Sequence, residues 1–151
     1  MNVTRVELEP RTICGVHEVI PMNEMTEFFG RAFAEAAAEM GKQGAFPAGP
    51  PVTLYHGMPT GTIDVTAGFP VSNQVAPAGE VVVATLPGGS AVEATHVGSY
   101  DTLADTYAEI NSWIADHKLT PAEDMFEEYL VGPDGETDPA KWRTRIVFPL
   151  A

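Results

Sequence analysis

Residues 103–117 run Leu103-Ala104-Asp105-Thr106-Tyr107-Ala108-Glu109-Ile110-Asn111-Ser112-Trp113-Ile114-Ala115-Asp116-His117, and Phe126-Glu127-Glu128-Tyr129-Leu130-Val131 follows after a short polar segment. Leu103, Tyr107, Ile110 and Ile114 step by four, three and four, which predicts a helix over 102–117 with one apolar stripe. Thr102 and Asp105 have capping-box spacing, and His117 and Lys118 stand where the helix dipole favours cations. Residues 126–131 read as a strand. Gly132-Pro133-Asp134-Gly135 reads as a turn, and a loop runs on to about Lys141. Trp142 to Leu150 alternates as the last strand. Upstream, Val81–Ala84 and Ala91–His96 flank Leu86-Pro87-Gly88-Gly89, which predicts a hairpin with a Gly-Gly turn.

The first half carries the same order of elements. Val3 to Ile20 reads as one or two strands broken near Pro10. Over 22–41, Met25, Phe28, Phe29, Ala32, Phe33, Ala36 and Met40 make a helical stripe, with Asn23 placed to cap it and Gly41 to end it. A Gly/Pro loop follows at 44–51. Val52–His56 and Thr62–Ala67 then flank a turn as a hairpin, and Pro70–Gly79 reads as a linker. Strand-helix-strand-strand therefore occurs over 11–69 and again over 90–150. The middle strands carry Tyr55 and Tyr129, and the last strands end in Phe69-Pro70-Val71 and Phe148-Pro149-Leu150. This pattern predicts an internal duplication, with units of roughly 1–78 and 79–151 in one domain of 1–151. The expected fold is α+β: an antiparallel sheet with two helices, a pseudo-twofold axis and a central cleft between the helices, where ligands bind.

The 151 residues suit one domain with its own core. The net charge of −13 argues against direct nucleic-acid binding and against docking on an anionic membrane. It permits an acidic docking surface for a basic protein partner. No run of apolar residues is long enough to span a membrane. The N-terminal residues lack the apolar core of a secretory signal, so a cytoplasmic location is expected. The single cysteine, Cys14, excludes an internal disulfide and a multi-cysteine zinc site.

Most apparent motifs dissolve on inspection. Gly88-Gly89 lacks the phosphate-loop pattern. His17, His56, His96 and His117 fall on four different elements with no metal-ligand spacing, so no metal and no cofactor are expected. Cys14 fits a buried apolar thiol. Glu127 and Glu128 are more informative. Side by side on a strand, they point to opposite faces: Phe126, Glu128 and Leu130 share one, Glu127, Tyr129 and Val131 the other. One glutamate therefore turns inward among large apolar residues, where burial disfavours its charged form. It would then serve as a counter-ion for a cationic ligand or as a general base. Trp113, Tyr100, Tyr107, Trp142, Tyr55 and Tyr129 supply amphipathic rings, and rings beside an acid suit an organic cation.

These stretches together resemble the GyrI-like effector-binding domains, which occur alone and as the ligand-sensing halves of AraC- and MerR-type regulators. The resemblance rests on Leu86-Pro87-Gly88-Gly89, His96-Val97-Gly98-Ser99-Tyr100-Asp101-Thr102-Leu103, Tyr107, Trp113-Ile114, Phe126-Glu127-Glu128-Tyr129-Leu130, Pro133 and Trp142–Leu150. It implies the duplicated fold and a cleft for small organic molecules, often bulky and cationic. The family's Glu-x-Tyr motif matches Glu127 and Tyr129, which places Glu127 at the cleft floor. The first half departs from the family pattern, and Tyr55, the repeat partner of Tyr129, is its best site residue. No helix-turn-helix segment is read, so a complete DNA-binding regulator is not expected.

The expected function is binding of bulky aromatic, cationic compounds, as in multidrug sequestration or sensing. Glu127, Tyr129, Tyr55, Trp113 and Tyr100 are the expected ligand-binding residues. The alternative, also implied by the resemblance, is a hydrolase of strained cyclopropane-type toxins with Glu127 and Tyr129 as catalytic residues. A third reading is the protein-docking module noted above.

Overall fold

The computed structural model describes residues 2–72, 74–133 and 135–151. Asn73 of the expected linker and Asp134 of the expected turn lie outside the described residues. The elements are β1 (Thr4–Leu8), β2 (Arg11–Pro21), α1 (Met25–Lys42), β3 (Val52–His56), β4 (Thr62–Pro70), β5 (Val81–Leu86), β6 (Gly89–Val97), α2 (Leu103–Asp116), β7 (Asp124–Val131) and β8 (Arg143–Pro149). The fold is α+β. The strands form one antiparallel sheet of order β1-β6-β8-β7-β3-β4-β2-β5.

That order reads the same from both ends. β3-β4-β2 carries β5 at its edge, and β7-β8-β6 carries β1, so each unit's first strand pairs with the other unit. The two units join at the sheet centre through β3 and β7, where Thr53 stands opposite Glu127.

Both helices lie on one face of the sheet. α1 buries Phe28, Ala32, Ala36 and Met40 against Cys14, Val16 and Ile20 of β2 and Ile63, Val65 and Ala67 of β4. α2 buries Ile110 and Ile114 against Val92, Ala94 and Ile146. Neither helix covers the β3–β7 pair, and that gap becomes the cleft. The other face holds its own apolar cluster of Ile13, Val52, Leu54, Leu86, Ala91, Phe126 and Val147.

Three local expectations change. The Val81–Ala84 and Ala91–His96 segments are not a hairpin: β5 pairs with β2, while β6 pairs with β1 and β8. Exchange wins because it brings Val6, Leu8 and Ala84 onto the far-face cluster, apolar burial that a local hairpin would forgo. The exchange makes two linkers cross, Glu9-Pro10 and Pro87-Gly88. A Cβ at Gly88 would lie 2.6 Å from the Pro10 ring. Asn23 does not cap α1; it sits in a 3-10 turn, Met22–Glu24, and Gly41 lies inside the helix. Thr102 does not cap α2 either, because its hydroxyl donates to the Ser99 carbonyl at 3.0 Å.

A buried histidine holds the start of α2. His96 Nε2 lies 2.8 Å from the Ser99 carbonyl and must donate to it, which leaves Nδ1 to accept from the Thr106 hydroxyl at 2.6 Å. Ser99 Oγ in turn accepts from the Asp101 amide. This network sets the chain direction from which Tyr100 and Tyr107 project.

Two glycine substitutions test the crossing. Gly88→Ala should destabilise the protein by about 1–3 kcal/mol through overpacking against a rigid ring. Gly30→Ala, on the exposed side of α1 with nothing within 4 Å, should stabilise it by up to about 1 kcal/mol through helix propensity. Urea denaturation of both variants checks the pair. Equal and small effects would show that the linkers do not constrain each other.

Candidate functional site

The uncovered centre of the sheet opens into a cleft of about 850 Å³. Its floor is Tyr55 on β3 with Glu127 and Tyr129 on β7. Met25, Thr26, Phe29 and Phe33 of α1 and Phe69 of β4 form one wall; Tyr100, Leu103, Leu130–Pro133 and Gly135 contribute to the other. No Lys, Arg or His is among the described residues that line it.

Glu127 is the chemical centre. It is 5% exposed, and three tyrosine hydroxyls donate to it. Tyr55 and Tyr129 reach Oε1 at 3.1 and 2.8 Å, and Tyr107 reaches Oε2 in a short contact. The Tyr129 oxygen also accepts from the buried Thr53 hydroxyl at 2.9 Å, since its single proton goes to Glu127. Burial first, and the Glu127 charge second, push the Tyr55, Tyr107 and Tyr129 hydroxyls well above the usual phenol range. All three therefore remain neutral donors.

Glu128, one residue on, is 4% exposed and faces the other way. Its Oε1 accepts from Arg11 and, at 2.7 Å, from Arg145, and Arg145 also reaches Glu93 at 2.5 Å. The opposite-face expectation thus holds, but both glutamates are buried. Arginines neutralise Glu128, whereas uncharged hydroxyls leave the cleft with the carboxylate's charge.

The alternation expected through Val131 breaks after Tyr129. A bulge in the β7–β8 pairing lies between Tyr129 and Val131, and Leu130 and Val131 both line the cleft instead of pointing to opposite faces. The extra residue, Leu130, is left without a partner in the ladder, and the alternation is lost locally.

Among the ligand-binding residues expected from the sequence, Glu127, Tyr129, Tyr55 and Tyr100 line this cleft together. Tyr100 meets the Tyr129 ring edge-on at 6.3 Å and packs against Trp142 at 5.1 Å. Trp113 does not join them. It is half-buried in the α2 cluster and stacks on His117 at 3.7 Å, nearly two turns of helix beyond Tyr107.

Tyr107, read from the sequence as a stripe residue and as one of the amphipathic rings but not as a ligand-binding residue, completes the Glu127 cage. The available signal was its hydroxyl: a phenol on a buried helical stripe needs a partner. Phe29, Phe33 and Phe69 were also missed as site residues. Phe28 and Phe29 stand about 100° apart around the helix, so Phe28 is buried on the sheet while Phe29, partly buried against the same cluster, also lines the cleft.

A sheet carrying two helices, with an acidic, aromatic cleft between them, is the architecture of a small-molecule binding domain. The chain belongs to the GyrI-like small molecule binding domain family, whose model matches residues 1–151. No curated protein matches the chain by sequence. Among solved structures, the C-terminal domain of EcmrR is 22% identical with a TM-score of 0.87, covering 99% of this chain and 97% of that one. The EcmrR–DNA complex gives 22% identity and a TM-score of 0.85 over 99% of this chain, which spans 57% of the EcmrR chain. SAV2435 bound to tetraphenylphosphonium is 16% identical, with a TM-score of 0.74 over 100% of this chain and 94% of that one. A hydrolase from Listeria innocua is 13% identical, with a TM-score of 0.68 over 99% and 92%. At these identities the likeness is one of fold.

The raised tyrosine pKa values give a pH dependence. Each hydroxyl ionises in the unfolded chain near its ordinary pKa of about 10 but stays protonated when folded. Above that pH the unfolded state binds fewer protons, so stability falls as pH rises. In an alkaline titration, the phenolate absorbance of Tyr55, Tyr107 and Tyr129 should appear only with the loss of circular dichroism. Their titration in the folded protein near pH 10 would contradict the buried cage.

Proposed function

We propose that this protein binds bulky aromatic cations in the cleft above Glu127. One observation carries the reading: a buried carboxylate at the floor of an aromatic cavity whose only described donors are neutral phenols. A carboxylate has about four acceptor positions, and three are taken by Tyr55, Tyr107 and Tyr129. Little hydrogen-bonding capacity remains, so the carboxylate attracts by charge instead of by directed bonds. That suits delocalised or quaternary cations, which carry charge without strong donors. Phe29, Phe33, Phe69 and Tyr100 offer ring faces for cation–π contact and apolar burial. Tetraphenylphosphonium, held by the fold relative SAV2435, is a cation of this class. Since a buried ion pair adds little net affinity after desolvation, shape and apolar area set the strength and the charge sets the selectivity. Sequestration or sensing of such compounds follows as the role.

The remaining acceptor position on Glu127 also keeps a hydrolytic reading in view, with Glu127 taking a proton from water and Tyr129 orienting the substrate. Turnover separates the two, because a hydrolase converts excess ligand whereas a binder stops at saturation.

The decisive comparison is a fluorescence titration of wild type and Glu127→Gln with a rhodamine-type cation and a neutral dye of similar size. The substitution keeps the shape and removes the charge. Affinity for the cation should fall at least about tenfold, equivalent to 1.4 kcal/mol, with little change for the neutral dye. Equal losses for both would sink the counter-ion role.

A further inference from the structure

On the sheet face away from the cleft, three adjacent strands bring together residues that no sequence spacing connects. His17 lies on β2, Asp64 on β4 and His56 on β3, and these strands are neighbours in the sheet. A potential ligand atom from each side chain lies within 4.8 Å of one from each of the others. His17 Nε2 already contacts Asp64 Oδ1, and the two imidazoles meet edge to face at 5.4 Å. The side chains are 44%, 40% and 29% exposed for His17, Asp64 and His56, so an ion can reach them.

We propose that His17, His56 and Asp64 form a binding site for a divalent transition metal of the zinc class. Two imidazoles and one carboxylate are a donor set that Zn²⁺ accepts, with a fourth position left to water. Bonds of about 2.0–2.2 Å place tetrahedral ligand atoms roughly 3.3–3.5 Å apart. The observed spacing therefore needs only side-chain rotation on strands whose backbone is fixed by the ladder.

A fourth residue supports the assignment. His56 Nδ1 faces Asp124 Oδ2 at 3.7 Å across the β3–β7 pair. At 3.7 Å this is not a hydrogen bond, but a small rotation would let Asp124 accept the Nδ1 proton and leave Nε2 for the ion, the usual support behind a metal-bound histidine. The Thr66 hydroxyl, 2.9 Å from Nε2, is the group that the ion would displace. Asp64 and Asp124 together offset the ion's charge. Occupancy would tie β2, β4 and β3 together directly behind Tyr55, on the reverse of the cleft floor.

Untagged protein, stripped with a chelator, is titrated with Zn²⁺ by calorimetry and with Co²⁺ by visible absorption. One equivalent should bind in the micromolar range or tighter, with tetrahedral Co²⁺ bands and a rise in melting temperature. His17→Ala, His56→Ala and Asp64→Asn should each weaken binding at least about tenfold, and Asp124→Asn about tenfold through loss of support. His117→Ala, an exposed histidine stacked on Trp113, should leave binding unchanged. The ligand side chains are half exposed, and circular dichroism confirms that the apo variants fold. The site is overturned if wild type takes up no stoichiometric ion, if the His17→Ala/His56→Ala protein binds as wild type does, or if His117→Ala weakens binding equally.

Discussion

A carboxylate removed from water must be hydrogen-bonded, and the burial of Glu127 imposes that demand at the middle of this fold. Its three donors come from three elements: Tyr55 from β3, Tyr107 from α2 and Tyr129 from β7 itself. Satisfying one side chain therefore fixes how the two units meet along β3 and β7, and how closely α2 approaches that seam. A helix shifted by one turn would leave an oxygen unpaired in a nearly dry site, and such a loss costs about 1–3 kcal/mol or more for a charged group.

The consecutive glutamates of β7 show two solutions to the same burial problem. Glu128 meets Arg11 and Arg145, so its charge is cancelled within the protein. Glu127 meets hydroxyls, which stabilise the anion without cancelling it. One face of the strand is thereby made a structural ion pair and the other an uncompensated charge beneath an aromatic cavity. The pleat alone separates these outcomes, because neighbouring residues on a strand cannot share a face.

The duplicated layout accounts for where the cavity lies. Each helix covers the strands of its own unit, and the two middle strands meet where no helix reaches. The exchanged edge strands β1 and β5 lock the units together on the other face, where their residues join one apolar cluster. A cleft at the join thus follows from placing one helix on each half of the sheet, and Glu127 with its three tyrosines lies there.

Much of this was legible in the sequence because it depends on local periodicity. The helical stripes of α1 and α2, the alternation of β7 and β8, the hairpin of β3 with β4 and the order strand-helix-strand-strand all follow from spacings of two or of three and four residues. The opposite orientation of Glu127 and Glu128 follows from the same rule. Tyr55 could be placed beside Glu127 and Tyr129 once the middle strands were read as equivalent, and Tyr100 came from the set of amphipathic rings and the family resemblance. What only the tertiary structure decided depends on contacts between segments far apart in the chain. The pairing of β5 with β2 instead of β6, the reach of Tyr107 to Glu127, the departure of Trp113 from the cleft and the meeting of His17 with His56 across β4 belong to this class. Strand partners are chosen by the apolar surface that the whole sheet buries, and no local pattern encodes that sum.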